Sequence, residues 1–227
     1  MPRTTLRGVR VRYETIEFGD LDIHVRALRD LQECETKSDS TDDSASWSVF
    51  GVVWDSARAL AGMMVDYDVG ERRVLEIGCG IGLSSLVLKS RGLDITATDR
   101  HHRAAEFLSH NTDINGFGPI PFARLDWDTV EDEPTSRLGR FDLIIASDVL
   151  YERGHPESVT GFIARHAHPT CEVILVDPGR QNCGRYDRQM QDHGFSRSAF
   201  ERTKPPAGSA PKMQRLRHLR VSVPATT

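Results

Sequence analysis

Apolar residues in this chain first alternate and then change to a helical period. Val9, Val11 and Tyr13 point one way in a period of two, and beyond Gly19-Asp20 the residues Leu21, Ile23 and Val25 repeat the pattern. Two alternating runs around a glycine-containing turn predict a β-hairpin. Between Val52 and Val65 the apolar positions recur at helical spacing. From Arg73 onward, short β-branched runs alternate with helical stretches of about ten to fifteen residues, which predicts a parallel sheet with crossover helices. The expected strands cover 74–77, 95–98, 121–125, 141–147, 173–176, 195–200 and 216–223. The last two are joined by KPPAGSAP with no helix between, so they read as an antiparallel pair at one end of the sheet. The predicted class is α/β, a doubly wound, seven-stranded, mostly parallel sheet preceded by a hairpin.

From Cys34 to Ser46 the run CETKSDSTDDSAS holds almost nothing apolar and cannot bury enough surface to offset its ordering entropy. It is expected to be a linker, dividing the chain into a hairpin and linker (1–50) and a main domain (51–227). Composition adds little to the fold and more to the exclusions. The 227 residues are 38% hydrophobic and 27% charged, with a net charge of −4, which suits one globular core and gives no basic footprint for nucleic acid. No apolar run reaches the roughly 18 residues of a membrane span, and MPRTTLRGVR lacks a signal peptide's apolar stretch, so a cytoplasmic location is expected. Cys34, Cys79, Cys171 and Cys183 have neither zinc nor disulfide spacing and read as free thiols, and neither His101/His102 nor His166/His168 has a helical metal-site spacing. No metal is expected.

The chemistry concentrates in VLEIGCGIGLSSLVL, where a strand runs into glycines and an apolar helix follows. Gly78, Gly80 and Gly82 carry no Cβ to keep a ligand away, and the helix beginning near Gly82 presents free amides to a carboxylate or a phosphate. Counting from Gly78, the small residue that closes a dinucleotide motif is replaced by Leu83, and no triphosphate P-loop occurs. Asp99 follows the second strand, 23 residues after Glu76; an acid there can accept from both hydroxyls of a ribose. Asp126 and Trp127 end the third strand, where an adenine would lie, with Trp127 either against the base or in the core. Asp148 and Tyr151 follow the fourth strand. They read either as a pair facing a substrate or as a helix N-cap with a core tyrosine.

The order EIGCGIG from Glu76 to Gly82 resembles the first motif of class I S-adenosylmethionine (SAM)-dependent methyltransferases, which implies a Rossmann-like fold with Glu76 serving the cofactor's ammonium. A strand-end cap is its other reading. FDLIIASDVLYE narrows the resemblance to the seven-β-strand protein lysine methyltransferases, methyltransferase family 16, whose D-x-x-Y mark Asp148 and Tyr151 fill. SVFGVVWDSARALA is similar to that family's G-x-x-x-W lead-in, from Gly51 to Trp54 with one residue fewer and with Asp55 where proline is common. The resemblance implies SAM as cofactor, held by Trp54, Glu76, Gly78, Gly80, Gly82, Asp99, Asp126 and Trp127. It also implies a lysine-bearing protein as partner, with Asp148 and Tyr151 catalytic. Methylation of a small-molecule amine is the alternative on the same fold, and a nicotinamide-dependent oxidoreductase the more distant one. Asp177-Pro178-Gly179-Arg180 reads as no more than a turn.

Overall fold

The computed structural model describes residues 10–29, 50–128, 138–203 and 213–220. The expected linker 34–46, the KPPAGSAP loop and the stretch beyond 220 lie outside them. Strands β1 (Val11–Phe18) and β2 (Leu21–Leu28) pair antiparallel from Val11↔Leu28 to Phe18↔Leu21. Gly19 takes φ 65° at their two-residue turn, a conformation that costs glycine little. The inward face of β1 differs from expectation. Ile16 opposes Ile23 and both are buried, whereas Tyr13 is 62% exposed. Tyrosine's polar tip explains the choice: its hydroxyl lies 3.2 Å from His110 Nε2 on the surface, while Ile16 has only apolar surface to bury.

After the hairpin come α1 (Asp55–Met64), β3 (Val74–Ile77), α2 (Leu83–Ser90), β4 (Ile95–Asp99), α3 (Ala104–Ile114), β5 (Phe122–Arg124) and β6 (Phe141–Ser147). They are followed by α4 (His155–His166), β7 (Ala167–Asp177), α5 (Cys183–Asp192), β8 (Phe195–Thr203) and β9 (Met213–Arg220). Seven of the described strands form one sheet in the order β5-β4-β3-β6-β7-β9-β8. The first five run parallel, and β9 inserts antiparallel between β7 and the edge strand β8. The final antiparallel pair is as expected, and strand β9 lies inside the sheet because β8 forms the rim. Strand β7 begins at Ala167, earlier than the expected 173: a register shift between Phe141 and Leu143 lets the chain pass Pro169, which has no N–H for a ladder.

The sheet has an apolar layer on each face, as its continuous apolar runs require. Val74, Ile95, Ala97, Leu143 and Ile145 face α1, α2, α3 and the hairpin. Leu75, Ile77, Ile144, Ala146 and Leu175 face α4 and α5. Period two therefore puts Glu76 on the first of these faces, beneath α2. Along the outer edge of β2 the backbone finds side chains in place of another strand. Asn111 accepts from Arg26 N at 2.7 Å and donates to Arg26 O at 3.4 Å, and Asn115 accepts from His24 N at 2.9 Å and donates to His24 O at 2.6 Å. Asn111 also reaches the Ile81 carbonyl at 3.2 Å, tying the hairpin to the glycine bend.

Candidate active site

The chain leaves β3 toward β4 and β5 on one side and returns to β6 on the other. In such sheets ligands lie at the carboxyl ends of the strands flanking that reversal. A cleft opens there, lined by residues from the loops after β3, β4, β5 and β6. Its floor is the bend after β3. Gly78 is at φ 62° and Gly80 at φ 56°, and a Cβ on Gly80 would meet nothing within 4 Å. The backbone is therefore bare where it faces the cleft. Gly82, at φ 81°, serves packing instead: a Cβ there would collide with Leu108 Cδ1, so the missing side chain lets α2 approach α3.

Asp99, at the end of β4, forms one wall. Its Oδ2 accepts from Gly80 N and its Oδ1 from His101 N, each at 2.8 Å. Burial raises its carboxyl above the usual range, while the two amides and Arg100 pull it back. Each oxygen keeps a second lone pair for a hydroxyl. Beside it Phe50 stacks on His101 with ring centres 3.9 Å apart, and burial holds His101 neutral by lowering it to about 3. Trp127 and Val149 crowd Gly78 from the opposite side.

At the mouth, Asp148 follows β6 with φ 60°, the left-handed region that aspartate tolerates better than most residues. Its N–H donates to Val176 O at 2.9 Å, so the chain turns sharply while still tied to β7. Helix α4 starts only at His155, so Asp148 is no helix cap and Tyr151 lies in the loop that precedes the helix. Burial raises the Asp148 carboxyl and Arg180 opposes that rise through an ion pair to Oδ1. The Tyr151 ring packs edge-on against His155 at 4.4 Å, and His155 in turn meets Trp127 at 5.2 Å. Burial raises the Tyr151 hydroxyl, which faces Arg100.

Trp54, Gly78, Gly80, Asp99, Trp127, Asp148 and Tyr151 all line the cleft. Glu76, Gly82 and Asp126 do not. The Glu76 carboxylate lies below the floor, accepting from the Ser85 amide at 2.9 Å and from the Ser85 hydroxyl, and burial pushes it up to about 7. Asp126 is exposed, its Oδ1 3.4 Å from Asp128 N. Sequence reasoning did not find Phe50, His101 or Arg100, which line the cleft, nor His155, which buttresses it. Phe50 directly precedes the Gly51 lead-in, and the histidines carry no spacing signal. Arg180 was set aside as part of a turn, and the structure instead pairs it with Asp148.

The bare bend, the acid on the neighbouring strand and the apolar walls suit a nucleoside whose other end carries an amino acid. Among the described residues no group of three or more His, Cys, Asp or Glu could hold a metal ion. Strand order and the inserted antiparallel strand define the class: the Rossmann-like methyltransferase fold. Solved structures agree on that fold. The 16S rRNA N2 G1207 methyltransferase RsmC of T. thermophilus, in complex with AdoMet and guanosine, aligns with a TM-score of 0.64 at 15% identity, covering 95% of this chain and 52% of that one. The magnesium protoporphyrin IX methyltransferase ChlM of Synechocystis PCC 6803, with bound SAM, aligns at 0.56 and 19% identity, covering 72% and 77%.

The lysine methyltransferase family model, methyltransferase family 16, matches residues 35–184, and the chain belongs to that family. The electron transfer flavoprotein beta subunit lysine methyltransferase of Danio rerio is 26% identical over 158 residues, 67% of this chain and 54% of that protein. The protein N-lysine methyltransferase METTL21A of Danio rerio is 35% identical over 121 residues, 48% of this chain and 52% of that protein. The histidine protein methyltransferase 1 homolog of Dictyostelium discoideum is 33% identical over 113 residues, covering 48% and 36%. The aligned region spans about half the length of the first relatives matched.

Proposed function

We propose that this chain is a SAM-dependent N-methyltransferase that methylates a lysine side chain of a protein. The observation that carries it is the meeting of the family's D-x-x-Y pair, Asp148 and Tyr151, with the bare Gly78–Gly80 bend and Asp99 around one cleft. SAM, the cofactor, supplies a methyl carbon made electrophilic by a sulfonium. The chain's own task is to bind, aim and exclude water. Asp99 has lone pairs to hold two ribose hydroxyls, and Trp127, Phe50 and Val149 keep the cleft apolar. Glu76, one layer down, fixes the start of α2 through Ser85.

An acceptor lysine with a pKa of ~10.4 must lose a proton before it has a lone pair, and a carboxylate, even one that burial raises, is too weak a base to take it. Asp148 therefore orients: it accepts an N–H of the neutral amine while the proton leaves to water. Tyr151 adds a ring face and a hydroxyl at the same mouth. Among the described residues Cys79, Cys171 and Cys183 are buried, free thiols.

The test is incubation of the purified chain with methyl-labelled SAM and a cell lysate, followed by mass spectrometry of the labelled protein. Label on lysine is the expected result. Label confined to small molecules would favour the amine alternative, and label on an imidazole would match the histidine methyltransferase relative instead. The variant Asp148→Ala is expected to lose transfer, by about a hundredfold or more, while calorimetry shows SAM still bound.

A further inference from the structure

One buried carboxylate away from the cleft is closed on itself. Glu172 is saturated by Tyr67, Arg72 and Arg217 at the far end of the sheet from the cleft. The Asp177–Arg180 turn is built differently. Asp177 ends β7 and is fully buried. Its Oδ1 accepts from the amides of Gly179 and Arg180, each at 2.8 Å, and from the Cys183 thiol at 3.1 Å. These bonds, with Gly179 at φ 94°, close the turn and direct the Arg180 guanidinium over the end of β6. There Nη1 lies 3.4 Å from Asp177 Oδ2 and pairs with Asp148 Oδ1.

Only one oxygen of Asp148 is used. Among the described residues no donor lies at hydrogen-bond distance from its Oδ2, and the carboxylate keeps 12% of its surface open in the wall of the cleft. A bidentate arginine pair would fill the carboxylate and make it structural. This single contact aims the group and leaves an acceptor toward the ligand. Resting on the methyl-transfer reading above, we propose that Arg180 is a positioning residue: carried by the Asp177 turn, it fixes Asp148 through Oδ1 so that Oδ2 receives the N–H of the incoming amine. Charge acts in the same direction. Burial disfavours the ionised Asp148, Asp177 and Asp55 add to that, and Arg180 is the cation opposing them.

The test compares the unaltered protein with Arg180→Ala and Arg180→Lys. Calorimetry measures SAM affinity, and initial rates of label transfer from SAM into lysate protein are followed from about pH 5 to 9. SAM affinity is expected to hold within about twofold, because Arg180 does not line the cofactor cleft. Transfer by Arg180→Ala is expected to fall about tenfold or more, and Arg180→Lys to recover part of it. Amine deprotonation alone makes the log rate rise with unit slope. Below the point where Asp148 protonates the slope steepens toward two, and that break is expected about one pH unit higher in Arg180→Ala, since removing the cation favours the neutral acid.

An unchanged rate with an unmoved break overturns the proposal, and so does a faster Arg180→Ala, which would mean that the arginine blocks the site. If Arg180→Ala fails to bind SAM, the break in Arg180→Lys decides instead. Unaltered protein that binds SAM yet labels nothing removes the methyl-transfer reading, and the role of Arg180 with it. Active unaltered protein beside an inactive Asp148→Ala and a normal Arg180→Ala sinks only the positioning role.

Discussion

Gly78 and Gly80 share a backbone conformation and a bend, yet alanine should act differently at each. A Cβ on Gly78 would lie 2.8 Å from Val149 Cγ1 and 3.1 Å from the Trp127 ring, so both walls must give way. Both substitutions carry the left-handed penalty of about 1–2 kcal/mol, and Gly78→Ala adds overpacking of about 1–3 kcal/mol. Thermal melts should rank Gly78→Ala clearly below Gly80→Ala. Calorimetry should show Gly80→Ala losing SAM affinity by about tenfold or more, because its methyl enters the space the ligand needs. Glu76 gives a pH signature. Its carboxyl rises from 4.5 to about 7 on folding, so the fold prefers the neutral form. That contribution is complete below 4.5 and is lost as pH rises through about 7. Denaturant melts between these limits should show stability falling with pH, and Glu76→Gln should flatten the fall. The sequence placed the acids correctly at strand ends, where a charge inside an apolar run is conspicuous. It did not give their directions: the Glu76 carboxylate turns to Ser85 of α2 and does not line the cleft. Arg180 was illegible because its partner stands 32 residues away across a turn that local pattern cannot close.

At the scale of elements, the pairing of β2 with α3 was equally hidden. Asn111 in the last turn of α3 and Asn115 just after it present amide groups at the spacing of alternate residues on a strand edge and so satisfy backbone groups that would otherwise be open. In the sequence HNTDIN they look like polar surface, although Asn111 is fully buried. Asn111→Ala would strand the Arg26 amide and should cost about 1–3 kcal/mol in a denaturant melt, whereas Asn115, half exposed, should cost less. The hairpin itself was legible from its turn and alternation, and its inward face was not, because Tyr13 and Ile16 both satisfy an apolar count while only one has a hydroxyl to keep at the surface. Strands β3, β4 and β6 were found nearly to the residue, since burial on both faces leaves runs such as FDLIIAS with no polar competitor, whereas β7 begins six residues before its expected start.

For the whole molecule, sheet order follows from chain connectivity. Crossover connections put β4 and β5 on one side of β3 and β6 and β7 on the other, and this reversal creates the cleft. Loops after β3, β4, β5 and β6 all contribute to its lining, so a ligand there joins segments far apart in sequence. Saturating SAM at about a hundredfold over its dissociation constant should raise stability by about 2.7 kcal/mol, visible as an upward shift of the melting temperature. The hairpin enters the same account through a corner. Leu28, the last residue of β2, donates its N–H to Gly51 O at 2.7 Å, and Gly51 has no Cβ because one would lie 2.6 Å from Leu28 Cγ. Phe50, the next residue toward the N-terminus, is the ring that rests on His101. The two asparagines thus grip the hairpin about as a hinge pin grips a door: loosen them, and nucleoside binding should weaken although neither side chain lines the cleft.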